Sequence, residues 1–249
     1  MRRKYRVRQA SESLMVGCLL SASGGLQDAY TFNIRDGVFA NAQTGNIVLL
    51  GENLALGNWE IALRYLLPLL AFAAGIYLTE VIHGLFPNHG VHTLHWRHGV
   101  LLLEVAVLLA VGWMPQKWNL PANMLVSFVC AMQVEAFRTV EGNSYATTMC
   151  IGNLRSAMEN LYYWRKSKDS SRRHKAGLYF MVIAFFLIGA AAGGVLSPRW
   201  EEATIWLCCP LLLLAFVLMV HIHSRKLRFL EWLTGVQEDD ERNGQSGNI

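Results

Sequence analysis

Two carboxylates, Asp28 and Glu135, interrupt apolar runs 107 residues apart, and each is followed by an alanine and an aromatic residue, Ala29-Tyr30 and Ala136-Phe137. A carboxylate inside an apolar span must be neutralised by a proton, a cation or an arginine. The first two exchange with solution, so such acids point to a pathway, a proton relay or a cation site. The structural alternative is that both lie near span ends or pair with Arg35, Arg138 or Arg155. The same offset superimposes Gly45-Asn46-Ile47 on Gly152-Asn153-Leu154. Glycine bends a helix at little cost, and a helix broken at membrane depth exposes backbone groups that replace a solute's water shell. Hydrogen bonding and close packing between helices is the competing reading of these small polar residues. The expected solute-binding residues are therefore Thr44, Gly45, Asn46, Gly152 and Asn153, with Asp28, Glu135 and Arg155 as coupling or pathway groups. Arg155 and Glu159 also have the i, i+4 spacing of a simple helix pair. Glu80 and Glu104 lie in apolar runs without repeat partners and rank lower.

Other chemistry is weakly represented. His83, His89, His92, His95 and His98 fall in one connection, but their loose spacing without a Cys or carboxylate cluster fits a solvated interfacial loop better than a metal site. No HExxH, GxSxG, Walker-type or dinucleotide motif occurs. The expectation is that the protein is not an enzyme, with no catalytic residues, no metal and no cofactor. The cysteines, Cys18, Cys130, Cys150, Cys208 and Cys209, are odd in number and lie in or beside apolar runs, as small packing residues do.

The elements that must position these residues are set by composition. The chain has 249 residues, 53% hydrophobic and 16% charged, against about 25% charged in an average soluble domain. At roughly 20 apolar residues per crossing, six spans take about 120 residues. Net charge is +4, yet the basic residues form blocks between apolar runs, the pattern of cytoplasmic loops rather than of a nucleic-acid surface. Five basic residues in the first eight, before an apolar run, resemble a signal peptide. The apolar character resumes past Ser23, and the small-residue stripe Gly17, Ser21, Gly25 favours a retained first span.

Six segments read as crossings: 14–34, 61–86, 99–113, 122–140, 176–196 and 203–221. Segments 37–56 and 144–164 are long enough to cross but carry Asn41, Gln43, Thr44 and Asn46, or Asn153, Arg155, Glu159 and Asn160, and read as broken or re-entrant helices. The 107-residue offset, lengthened by seven residues to match Phe72 with Phe186 and Gly75 with Gly189, makes the chain two repeats. Connection 52–60 has no Lys or Arg, whereas its partner, 165–175, has six. Equivalent loops of opposite character favour three crossings per half with inverted topology over four plus four. The expected fold class is thus an all-α polytopic membrane protein of about six transmembrane helices plus two broken ones. Its divisions are a basic cytoplasmic N-terminus 1–13, a first membrane repeat 14–115, a second 121–223, and a cytoplasmic tail 224–249 that is partly disordered.

Gly25-Leu26-Gln27-Asp28-Ala29-Tyr30, then Gly37-Val38-Phe39 and Thr44-Gly45-Asn46, resemble the YoaK-like family of bacterial multi-pass membrane proteins. That family is uncharacterised in function and usually drawn with six spans. The resemblance extends over about 17–220; where its second half often repeats the Thr-Gly pair, this chain has Ile151-Gly152. The functional expectation is an inner-membrane transporter or channel for a small solute, proton- or cation-coupled, with both termini cytoplasmic. The expected partners are the lipid bilayer, a small solute or ion of unknown identity and a second copy in a homo-oligomer, and no nucleic acid. The alternative is a non-transporting membrane sensor, scaffold or assembly factor. A cavity lined by the two breaks and the acids favours the first; a filled, dry centre favours the second.

Overall fold

A computed structural model describes residues 10–85 and 93–222. The basic segment 1–9, His89 and His92, and the tail from 223 lie outside the described residues. The described chain is α-helical apart from one short hairpin. Its helices are α1 (Leu14–Ile34), α2 (Gln43–Ala55), α3 (Trp59–Leu85), α4 (Thr93–Val111), α5 (Asn119–Ala136), α6 (Cys150–Ser167), α7 (Ser170–Trp200) and α8 (208–222). A 3-10 turn, Glu201–Leu207, joins the last two.

The first apolar segment is helical over the residues expected, but the fourth ends early. The helix stops at Ala136, and Thr139–Val140 pairs instead with Asn143–Ser144 across Glu141-Gly142. Both turn residues have positive φ, 46° and 75°, the two-residue hairpin geometry that an acid-Gly pair favours. The first half reverses in the same way after α1, through Asp36 (φ 62°) and Gly37 (φ 70°). Each reversal sends an extended arm back into the body of the protein, and each arm ends at the start of a half-length helix, α2 or α6.

Small residues decide how the helices meet. α1 lies along α7 and α3 along α5, in both cases at glycine contacts. A Cβ on Gly189 would stand 1.9 Å from the Ala22 carbonyl oxygen of α1, and one on Gly75 2.4 Å from the Phe128 carbonyl of α5. These are equivalent contacts in the two halves. α2 packs on α3, and α6 on α7. The apolar core, with Leu20, Leu101, Leu108, Val126, Ile205, Leu212 and Met219 fully buried, joins α1, α4, α5 and α8.

Arg35, at the end of α1, is fully buried. Its guanidinium donates to the Tyr30 hydroxyl (2.8 Å), Asn119 Oδ1 (2.9 Å) and the carbonyls of Val111 (3.0 Å) and Met114 (2.7 Å). Asn123 Nδ2 donates back to the Arg35 carbonyl at 2.7 Å. The end of α1 is thereby fixed to the α4–α5 turn. At the other end, Glu141 N donates to the Glu12 carbonyl (2.7 Å) and the Thr139 hydroxyl to Glu12 Oε1 (3.1 Å). The start of α1 thus meets the end of α5, and the two helices run in opposite directions. Arg35→Met strands at least three buried acceptors at about 1–3 kcal/mol each. Its melting temperature in detergent is expected to collapse, with Arg35→Lys recovering only part of the loss, because an ammonium lacks the planar fork. A melting temperature unchanged in Arg35→Met would show that the brace carries no stability.

Candidate functional site

The two arms converge on the middle of α1. From the first, Asn41 N donates to Asp28 Oδ1 at 2.7 Å and Asn41 Nδ2 approaches the Gly24 carbonyl at 3.4 Å. From the second, Tyr145 packs over Gly17, where a Cβ would meet its hydroxyl at 3.0 Å, and Thr148 over Gly24, where a Cβ would meet its methyl at 2.3 Å. Gly24 sits near the midpoint of the 21-residue α1, so the chain re-enters from both ends and α2 and α6 begin at one level.

The two asparagines of the repeat have matching partners. Asn46 Nδ2 donates to the Phe39 carbonyl (2.7 Å) while its Oδ1 accepts from Phe39 N (3.0 Å). Asn153 does the same with Ala146, at 2.7 and 3.4 Å. Phe39 and Ala146 are themselves 107 residues apart. Each amide thus acts like a short piece of strand, holding the arm to the first turn of the helix it feeds. Neither helix has a side-chain cap, since Ala42 and Met149 occupy the N-cap positions, and residues of those types do not cap. Their leading N–H groups therefore have no side-chain acceptor.

A cavity of about 1100 Å³ lies where the arms meet. Asp28, Asn41, Thr44, Thr148, Cys150, Gly152 and Asn153 form its polar wall, and α3 and α7 contribute Leu69, Phe72, Ile76, Phe186 and Ala190. Of the residues singled out from sequence, Asp28, Thr44, Gly152 and Asn153 share this wall. Gly45 and Asn46 stand just behind it, against Phe39. Glu135 is elsewhere: its carboxylate pairs with Arg138 at 2.8 Å, and Arg138 also pairs with Glu80 at 2.9 Å. Arg155 is exposed on α6, outside the wall. His83 lies 3.6 Å from Glu80 and stacks on Trp96.

Sequence reasoning passed over Asn41 and Thr148, although they too are 107 residues apart and immediately precede the two N-caps. It also ranked Glu104 low. That carboxylate, on α4, is fully buried and accepts from Gln27 Nε2 of α1 at 2.9 Å. With the Gln133 amide nitrogen turned toward it, it accepts from α5 as well, at 3.1 and 3.2 Å. The Cys130 thiol bonds to Gln27 Oε1 and closes the cluster. This network ties α1, α4 and α5 behind the cavity.

The outer surface fits lipid rather than water. Tyr77, Leu187, Ile188, Val195 and Val217 are all more than half exposed, a density of bare apolar side chains that soluble monomers do not carry. α3, with 27 residues, and the continuous helical stretch 170–222 are long and apolar enough to cross a bilayer. Fold and surface together define an all-α membrane protein. A family profile described as a protein of unknown function, DUF1275, matches residues 16–218, and the chain belongs to that family. It is similar to the UPF0700 transmembrane protein YoaK of Bacillus subtilis (strain 168), 24% identical over 211 residues, covering 81% of this chain and 90% of that protein. No solved structure matches it.

Proposed function

We propose that the protein is a transporter or channel for a small solute, built as two inverted repeats of three crossings and one re-entrant half-helix each. The cavity at the junction of the two half-helices carries this reading, because a scaffold gains nothing from open space lined by a carboxylate and two uncapped helix ends. Three features support the inversion: α1 and α5 run antiparallel, α1–α7 packing is exchanged for α5–α3, and both Asn clamps obey the 107-residue offset. In a bacterial inner membrane, the basic residues 165–175 place that connection and both termini in the cytoplasm. Asp28 is the coupling group, exchanging a proton or cation with solution. Inverted repeats of this kind work by rocking one half against the other around a fixed central site.

A melting-temperature screen of the purified protein against small solutes and ions tests the binding claim. A ligand held only by the folded state raises the melting temperature by mass action; a flat response across anions, cations and neutral solutes supports the scaffold reading instead. Topology is checked separately. Asn58, exposed between α2 and α3, is expected to react as Asn58→Cys with an impermeant maleimide added outside cells, on a cysteine-free background. Reaction from the cytoplasmic side alone would establish four crossings per half.

A further inference from the structure

The cavity is asymmetric where its scaffold is symmetric. At the first half-helix, Asp28 supplies a carboxylate to the arm just ahead of α2, accepting from Asn41 N at 2.7 Å. The repeat places Glu135 at the matching position of α5, but Arg138 and Glu80 hold that side chain outside the cavity wall. Among the described residues no other acidic side chain lines the cavity, and no Lys, Arg or His does. The N-terminus of α6 therefore opens onto the cavity with Met149 as its N-cap and no carboxylate of its own. Beside it stands Thr148, 5% exposed, whose hydroxyl has no hydrogen-bond partner. Its methyl is turned to Gly24 of α1. A buried hydroxyl without a partner costs about 1–3 kcal/mol and is relieved by a ligand that accepts or donates there.

We infer that the cavity takes the carboxylate of an organic acid at the N-terminus of α6, bonded by the Thr148 hydroxyl and the leading N–H groups of that helix, in the position that Asp28 takes at α2. Backbone N–H groups and the positive end of the helix favour an anion there. The size and remaining wall select the rest of the molecule. An inorganic anion does not fill about 1100 Å³, and Phe32, Phe39, Leu69, Phe72, Ile76 and Phe186 offer an apolar surface to an aliphatic or aromatic body. The inference rests on the solute-binding reading above and names its substrate class.

Phenylacetate, its neutral isostere phenylacetamide, and chloride are the probes, with the full-length protein in detergent. Phenylacetate is expected to raise the melting temperature in a saturable way and to slow alkylation of Cys150, which lines the same cavity. The amide and chloride are expected to do neither. Thr148→Val keeps the methyl contacts and is expected to weaken phenylacetate roughly tenfold, the scale of one hydrogen bond to a charged group, while Thr148→Ser keeps full affinity. Equal binding of the amide, or undiminished binding by Thr148→Val, overturns the inference. So does failure of phenylacetate both to stabilise the wild-type protein and to protect Cys150, a result that needs no variant. Stabilisation by a sugar, an amine or a metal ion in that last case would leave the transport reading standing and remove only the organic-acid assignment.

Discussion

Gly189→Leu is expected to leave no folded protein. Even the first carbon of a side chain at this position would stand 1.9 Å from the Ala22 carbonyl oxygen and 2.9 Å from its Cα, all of it backbone of α1. Backbone cannot swing aside as a rotamer does, so α1 and α7 must separate, and that separation opens the whole interface. The facing position behaves alike, since a Cβ on Gly25 would stand 2.0 Å from the Phe186 carbonyl of α7. Overpacking a well-filled core costs about 1–3 kcal/mol where side chains give way; with two backbones in collision the loss should exceed the 4–5 kcal/mol that marks exceptional point mutations. Gly194, on the same helix with nothing within 4 Å of its Cβ position, is the control. Size-exclusion profiles and thermal melts in detergent are expected to show Gly194→Leu monodisperse and Gly189→Leu aggregated. A well-behaved Gly189→Leu would mean that α1 and α7 are not in contact as described.

Asp28→Asn carries the largest expected functional effect. The carboxylate lies in a cavity wall without a cationic side chain, so its charge is balanced by a proton or cation from solution. Tyr145 and Cys150 are the other titratable groups in that wall. Asparagine keeps the oxygen that accepts from Asn41 N, so the arm should stay in place and the melting temperature fall little. Dependence of solute binding or flux on pH or on the coupling cation is expected to vanish. Loss of folding would instead make Asp28 a structural anchor of the arm, and an unaltered ion dependence would remove it from the coupling step.

Much of this arrangement is legible in the sequence because membrane helices announce themselves by length and apolarity. α1 runs over 14–34 as hydropathy alone indicates. The misreadings come from local chemistry. Phe137 and Val140 are apolar and extend the apparent fifth helix, yet the Glu141-Gly142 turn makes them part of a hairpin arm. Ser170–Lys175 reads as a polar loop but is the first turns of α7, begun where Asp169 accepts from Ser171 N at 2.9 Å. At the site, the 107-residue offset located both breaks, and Asn46 and Asn153 proved to hold the arms rather than to stand bare in the cavity. The offset also paired Asp28 with Glu135. Their divergence depends on Arg138 and on Glu80 of a distant helix, contacts that no spacing rule contains. The buried Glu104 cluster escaped for a similar reason: it is assembled from three helices and has no counterpart in the repeat.

The central claim, that the half-helices meet at a water-filled solute site, can be tested on the native sequence. Cys18, Cys130, Cys208 and Cys209 are buried, whereas Cys150 is half-buried at the start of α6 in the cavity wall. Membrane vesicles treated with the charged, lipid-insoluble reagent 2-sulfonatoethyl methanethiosulfonate are expected to be modified at Cys150 alone, as read by intact-protein mass spectrometry, with Cys150→Ala unmodified. Reaction of Cys150 with a membrane-soluble maleimide but never with the charged reagent would make the cavity a lipid-filled groove and contradict the account.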